Sequence, residues 1–397
     1  MLDSLYEIHK NSTQNAPLSF KRYLFPHIDW KSRALCVLGA RGVGKTTLLL
    51  QYYQEHYADV QKCLYLSCDN IQVVSTGLFN IAQKYFKYGG QALILDEVHT
   101  YPSWSREIKN IIDTYKDKQI LMSGNSSIAL EKGTADLSRR VATYSLKGLS
   151  FREYLTLVLK KDFKPYQLKE IIASHTRYAS EITRGIPILK YFKDYLKKGY
   201  YPYFLEGEKT YTSKLLSSLE KVIAEDIPAL FQVTPVKVNV LKKMLWLVAA
   251  SQPFTPNIDG MSRDLHLSKE YVYHFLDYLE KGGLIRSVRE KGKVAKMVRK
   301  PGKVYLENTN LIDVITGSLK LAGEVGSIRE TFFANQLQDY PLFLHPRADF
   351  CIQSHLFEVG GKNKKDSSYD SHTLFAIDGQ EIGAGRRIPL YLFGFLY

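Results

Sequence analysis

Between Arg33 and about Ser145, short apolar runs alternate with amphipathic stretches. The runs are ALCVL (Ala34–Leu38), CLYLS (Cys63–Ser67), ALILD (Ala92–Asp96) and QILMS (Gln119–Ser123). They are nearly continuous rather than alternating, as expected of strands buried on both faces. The helical patterns between them predict βαβ units and a parallel sheet flanked by helices, an α/β fold. At Ser150 the pattern changes. SFREYLTLVLKK opens on a capping box, with Glu153 three residues after the Ser150 hydroxyl, and marks the exit from the sheet. Residues 150–230 read as mostly helical, broken at Gly199 and Pro202 in KKGYYPYF.

From 236 to 306 the pattern predicts three short helices and a ribbon. Ser268 caps a helix whose apolar face is Val272, Phe275, Leu276 and Leu279, the i, i+3, i+4, i+7 set. Gly282-Gly283 ends it and Leu284-Ile285 starts the ribbon, the layout of a winged helix-turn-helix. The last ninety residues are mixed, with strand-like LFLHP, DFCIQ, HLFEV and IPLYLFGFLY, and one low-complexity loop at Gly360–His372. The expected division is 1–155, 156–235, 236–306 and 307–397. At 397 residues a single core is not expected.

The first loop carries chemistry. Gly39-Ala40-Arg41-Gly42-Val43-Gly44-Lys45-Thr46 fits G-x-x-x-x-G-K-[ST] in full and is followed by Thr47. Glycines permit a turn whose backbone N–H groups wrap a phosphate, and the next helix presents its positive end to it. Lys45 is then placed for the β- and γ-phosphates of ATP, and the Thr46 hydroxyl for Mg²⁺. ALILDEVH puts Asp96 and Glu97 at the carboxyl end of a strand. Asp96 is the metal-side carboxylate and Glu97 the group to polarise an attacking water. Ser123 ends the next strand as a candidate to orient that water, with Asn125 its competitor. Arg139 or Arg140 is the candidate γ-phosphate contact, within the chain or on a neighbouring copy, the latter requiring an oligomer.

Charge and cysteine content narrow the picture. Lys plus Arg is 54 against 40 Asp plus Glu, a net +14, which favours an anionic partner. Eight basic residues fall between Arg286 and Lys303 with Glu290 the single acid, and the helix before them exposes Lys269. Lys269, Lys291, Lys293 and Lys296 are the candidate DNA contacts, the competing use of such a module being a protein partner. Cys36, Cys63, Cys68 and Cys351 form no CxxC pair and are expected as reduced, buried thiols of a cytoplasmic protein. MLDSLYEIHK lacks a leader's basic-then-apolar layout, and no apolar run approaches a membrane span.

GARGVGKTTLL, ALILDEVHTYPSWSREIKNIID, ILMSGNSS and LKGLSFREYL together resemble a prokaryotic family of AAA-type P-loop ATPases. That family's D-E-[IV]-[QH]-x-x-P-x-W pattern is matched by Asp96, Glu97, Val98, His99, Pro102 and Trp104. Its G-R and P-L-S-F-x-E segments are matched except that Arg139 and Gly148 replace the glycine and the proline. The resemblance covers about the first 155 residues and implies ATP hydrolysis. It continues in a module of unknown function, in Gly199-Tyr-Tyr-Pro202 and in KVYLENTNLID, where Asn308 and Asn310 replace the usual Asp and Gly. The last stretch resembles an α+β restriction-endonuclease-like (PD-(D/E)XK) core. The resemblance implies Glu330, Asp349 and Glu358 as its carboxylates. Gly360 stands where the lysine belongs and Lys362 is the nearest substitute, so a degenerate site is expected. Three functions remain: a Mg²⁺-dependent ATPase coupled to DNA, a nucleotide-gated regulatory protein with little turnover, and an ATP-dependent nuclease.

Overall fold

The computed structural model describes residues 2–14, 17–125, 137, 139–250, 255–292, 302–365 and 369–397. The chain divides into two compact units, Met1–Gly148 and Leu149–Tyr397.

The first unit is an α/β fold built on a five-stranded parallel sheet. In chain order it contains α1 (Leu2–Thr13), β1 (Ala34–Leu38), α2 (Lys45–His56), β2 (Cys63–Ser67), α3 (Ile71–Thr76) and α4 (Leu78–Lys87). β3 (Ala92–Asp96), α5 (Trp104–Thr114), β4 (Gln119–Gly124) and β5 (Ala142–Ser145) complete it. The sheet order is β2-β3-β4-β1-β5. β1 and β3 are buried at every position, as their uninterrupted apolar character requires. β1 and β3 flank β4, so the loops leaving their carboxyl ends converge on one side of the sheet. The added edge strand β5 is half-exposed along its length, and its ATYS sequence gives no apolar signal.

The second unit begins with α6 (Phe151–Leu159), whose Ser150–Glu153 capping box is fully formed. α7 (Leu168–Thr183), α8 (Ile188–Lys198), α9 (Glu208–Lys221), α10 (Ile227–Phe231) and α11 (Pro235–Ala250) follow. Next come α12 (Ile258–Asp264), α13 (Lys269–Lys281) and an antiparallel ribbon of β6 (Ile285–Val288) and β7 (Lys303–Leu306). The Ser268 hydroxyl accepts from the Tyr271 N–H at 3.3 Å, and Val272, Phe275, Leu276 and Leu279 are buried. α14 (Thr309–Ser318) and α15 (Val325–Gln336) lead to a second, mixed sheet. Its strands are β8 (Leu342–His345), β9 (Ala348–Ile352), β10 (His355–Gly361), β11 (Thr373–Asp378) and β12 (Arg387–Pro389), in the order β12-β11-β10-β9-β8.

One expectation fails at the carboxyl end. IPLYLFGFLY contributes only Ile388 and Pro389 to the sheet, and Leu390–Phe395 forms a 3₁₀ turn. The turn is buried throughout, so no face alternates. A Cβ on Gly394 would stand 2.5 Å from Phe151 Cβ, so glycine permits the close approach. The segment joins an aromatic core with Phe151, Phe192, Phe332, Phe333, Phe350 and Phe357.

Candidate nucleotide site

The loop between β1 and α2 is shaped by its glycines. Gly42 and Gly44 have φ of 84° and 99°, a region side chains rarely adopt. A Cβ on Gly39 would lie 2.4 Å from the backbone oxygen of Leu146. Arg22 braces the same loop, donating to Val43 O at 2.5 Å and to Lys147 O and Gly148 O at 2.7 and 2.9 Å. Ala40, Arg41 and Thr47 are partly exposed along this loop and the start of α2, while Val43 is buried.

Lys45 opens α2 with only 4% of its side chain exposed. Its ammonium donates to Gly39 O at 3.1 Å and Ala40 O at 3.2 Å and stands 3.4 Å from Glu97 Oε1. The Thr46 hydroxyl donates to Asp96 Oδ2 at 2.7 Å. Asp96 also accepts from Tyr65 OH, at 2.9 Å on Oδ2, and from Ser123 Oγ on Oδ1. Ser123 Oγ in turn accepts the Glu97 N–H at 3.0 Å. Thus Lys45, Thr46, Asp96, Glu97 and Ser123 are brought together at the carboxyl ends of β1, β3 and β4, with Asn125 buried just past β4.

Glu97 sits in the left-handed region at φ 53°, which turns its carboxylate toward the lysine rather than along the strand. Burial pushes its pKa up, but Lys45, His99 and Arg41 outweigh that and hold it below the usual value. It is therefore ionised at neutral pH and able to accept a proton. A hydroxyl and a carboxylate oxygen meet at Thr46 and Asp96, a hard-oxygen pair that fits Mg²⁺ beside a phosphate loop.

Two residues outside the sequence motifs belong to the site, Arg22 and Tyr65. The readable signal for Tyr65 is register. Ser67 pairs with Asp96, which places Tyr65 on the same sheet face two residues earlier. Arg22 carries no such signal.

Arg140 is not brought to the loop. Its guanidinium forks onto Asp113, with contacts of 2.7 and 3.2 Å. β5 runs parallel to β1 with Ala142 opposite Leu35, so Arg140 precedes the amino end of the sheet, a strand's length from Lys45. Arg139 immediately precedes it in the same turn and is exposed.

In the second unit the three endonuclease-like carboxylates lie close together, with Glu330 and Glu358 engaged by side chains and Asp349 by the Val359 N–H. Lys303 Nζ meets Glu330 Oε2 at 2.5 Å, and Tyr305 OH donates to the same oxygen at 2.8 Å. Glu358 accepts from the Asp349 N–H at 3.2 Å and from Tyr369 OH at 2.9 Å, and pairs with Lys364. Burial, with Glu330 and Glu358 nearby, pushes Asp349 up to about 6. Lys364, rather than Lys362, accompanies these acids. β10 continues through Gly361, and Lys364 folds back so that a Cβ on Gly360 would touch its side chain at 2.9 Å. Lys362 instead runs beside Gly379. Among the described residues, no group of three or more His, Cys, Asp or Glu side chains is placed to hold a metal ion.

On α13, Lys269 is exposed and paired with Asp259, and the helix also carries Glu270, Asp277 and Glu280. Lys291 is exposed just past β6. Lys293 and Lys296 lie outside the described residues. All four cysteines are free and buried, and no described helix is long and apolar enough to cross a membrane.

A phosphate loop with an acidic pair on the strand two places away in the sheet defines the class, and residues 31–155 match the profile of the AAA domain family. The first unit therefore carries an AAA-type domain. Residues 189–318 match a domain of unknown function (DUF8612). An uncharacterized protein of Methanocaldococcus jannaschii is 27% identical over 280 residues, 66% of this chain. The chain covers only 58% of that relative's length. Among solved structures, AMPPCP-bound DnaA from Aquifex aeolicus is similar at 16% identity and a TM-score of 0.28 over 70% of this chain and 87% of that one. Domain III of the Thermotoga maritima replication initiation protein DnaA is similar at 15% identity and a TM-score of 0.28, over 48% and 91% respectively.

Proposed function

We propose that the chain is a Mg²⁺-dependent ATPase whose turnover is coupled to DNA through the basic ribbon of the second unit. The observation that carries the catalytic part is the convergence of Lys45, Thr46, Asp96 and Glu97 on one loop. In this reading the backbone N–H groups of the loop and the first turn of α2 cradle the β-phosphate, and Lys45 exchanges the carbonyls of Gly39 and Ala40 for phosphate oxygens. Mg²⁺ held by Thr46 and Asp96 would supply charge neutralisation on the triphosphate. Once Lys45 engages phosphate, Glu97 is released from it and accepts the proton of the attacking water. Ser123 fixes the Glu97 backbone and the Asp96 carboxylate together.

The DNA part rests on the basic residues from Arg289 to Lys300, since Arg286 and Lys303 are paired with Glu307 and Glu330 and α13 itself presents acids beside Lys269. Cleavage is not favoured, because Lys303 and Lys364 already neutralise Glu330 and Glu358. Steady-state phosphate release with and without duplex DNA tests the reading. Glu97→Gln is expected to bind ATP and lose turnover by at least about a hundredfold, as removal of a general base does. A variant as fast as wild type overturns the assignment of the base, and a rate indifferent to DNA overturns the coupling.

A further inference from the structure

Three hydroxyl groups hold Asp96, and they are not equivalent. Thr46 is the hydroxyl that a loop of this kind turns toward Mg²⁺, so its oxygen would be shared between the ion and its bond to Asp96 Oδ2. Ser123 divides its oxygen between Asp96 and the Glu97 backbone. Tyr65 donates to Oδ2 at 2.9 Å from a ring only 5% exposed. That ring is fixed at its backbone as well. β2 is an edge strand, yet the Tyr65 N–H donates to His9 Nδ1 at 2.9 Å, and His9 Nε2 meets Tyr53 OH at 2.9 Å. Accepting the Tyr65 N–H fixes the His9 tautomer, so Nε2 carries the proton to Tyr53.

Resting on the nucleotide-site reading above, we propose that Tyr65 is a positioning residue for the metal side of the site. It holds Asp96 Oδ2 in place independently of Thr46, and thereby sets the Mg²⁺ concentration at which nucleotide is held tightly. A tyrosine that merely satisfied a buried carboxylate would change stability without changing that concentration.

The test is binding of a fluorescent ATP analogue to the full chain, in EDTA and across a Mg²⁺ titration. Tyr65→Phe keeps the ring and removes the hydroxyl. Its affinity in EDTA is expected to match wild type within about twofold. The Mg²⁺ needed for half-maximal tight binding is expected to rise about tenfold, the loss of one hydrogen bond to a charged acceptor. Tyr101→Phe removes another tyrosine hydroxyl of the same unit, bound to Glu107 at 2.9 Å, and is expected to leave the Mg²⁺ curve unmoved. A Tyr65→Phe curve superimposed on wild type, whatever its melting temperature, overturns the proposal alone. An equal shift in Tyr101→Phe also overturns it, since the effect is then not specific to Asp96. Wild-type chain that binds no nucleotide in either condition overturns the nucleotide-site reading and the proposal with it.

Discussion

Replacing His9 with glutamine should flatten part of the acid sensitivity of the first unit. His9 is 2% exposed, and burial lowers its pKa to about 4 against an ordinary value near 6.5. The charged form is disfavoured in the fold, and protonation would also remove the Nδ1 lone pair that accepts the Tyr65 N–H. The sign follows. A histidine with a depressed folded pKa contributes its full stability above about pH 6.5 and loses it as pH falls toward 4. Between pH 7 and pH 5 the two values give a loss of about 2 kcal/mol, a ceiling because solvent screening reduces it. Glutamine can accept the Tyr65 N–H through its oxygen and donate to Tyr53 through its nitrogen, without titrating. Urea midpoints of both proteins, followed by fluorescence at pH 7, 6 and 5, give the comparison. The wild-type midpoint should fall more steeply, by the equivalent of about 1–2 kcal/mol at pH 5. Parallel curves, or an NMR titration placing His9 near 6.5, would refute the reasoning.

Other perturbations act elsewhere. Asn310 accepts from the Tyr200 N–H and the Tyr211 hydroxyl and donates to Tyr195 O and Leu196 O, so Asn310→Ala should cost about 2–4 kcal/mol in urea unfolding of the second unit. Lys303→Met leaves Glu330 buried beside Asp349 without its cation and should cost about 3–5 kcal/mol at pH 8. The penalty should shrink as pH falls through 6, where Asp349, pushed up to about 6, takes up a proton and no longer repels Glu330; calorimetric melting at several pH values checks it. Gly39→Ala drives a Cβ into the Leu146 carbonyl and should lower both melting temperature and nucleotide affinity, whereas Gly185→Ala, where a Cβ meets nothing, should cost only about 1–2 kcal/mol from its positive φ.

The sheet of the first unit could be read directly from the chain because its central strands are buried on both faces. ALCVL has no polar position and ALILD none before its final Asp96, so neither is confused with a helix, and the strands formed match them residue for residue. β5 escaped because an exposed edge strand needs no apolar run, and ATYS has none. TLFAID, which forms β11, follows the low-complexity loop and is missing from the strand-like runs read along the chain. The terminal IPLYLFGFLY misled for the opposite reason. A wholly buried run carries no period, so its alternation cannot separate strand from turn. The phosphate loop and its acids were legible because contiguous motifs fix their own geometry. Arg140 and Lys362 were not, since their positions depend on where a long-range partner lies: Asp113 for the first, and for the second the space over Gly360 that Lys364 fills. Asn308 and Asn310 explain themselves only in three dimensions. The first caps α14 through the Leu311 N–H, and the second ties Tyr200 and Tyr211 to the end of α8.

The central claim is that Lys45 and its neighbours form a nucleotide site. Titration calorimetry with a non-hydrolysable ATP analogue and Mg²⁺, on the full chain and on Lys45→Ala, tests it most directly. Saturable one-to-one binding by the wild type, weakened at least about tenfold by the substitution, is the predicted result. No heat from the wild type at millimolar analogue, or equal affinity in the two proteins, would contradict it.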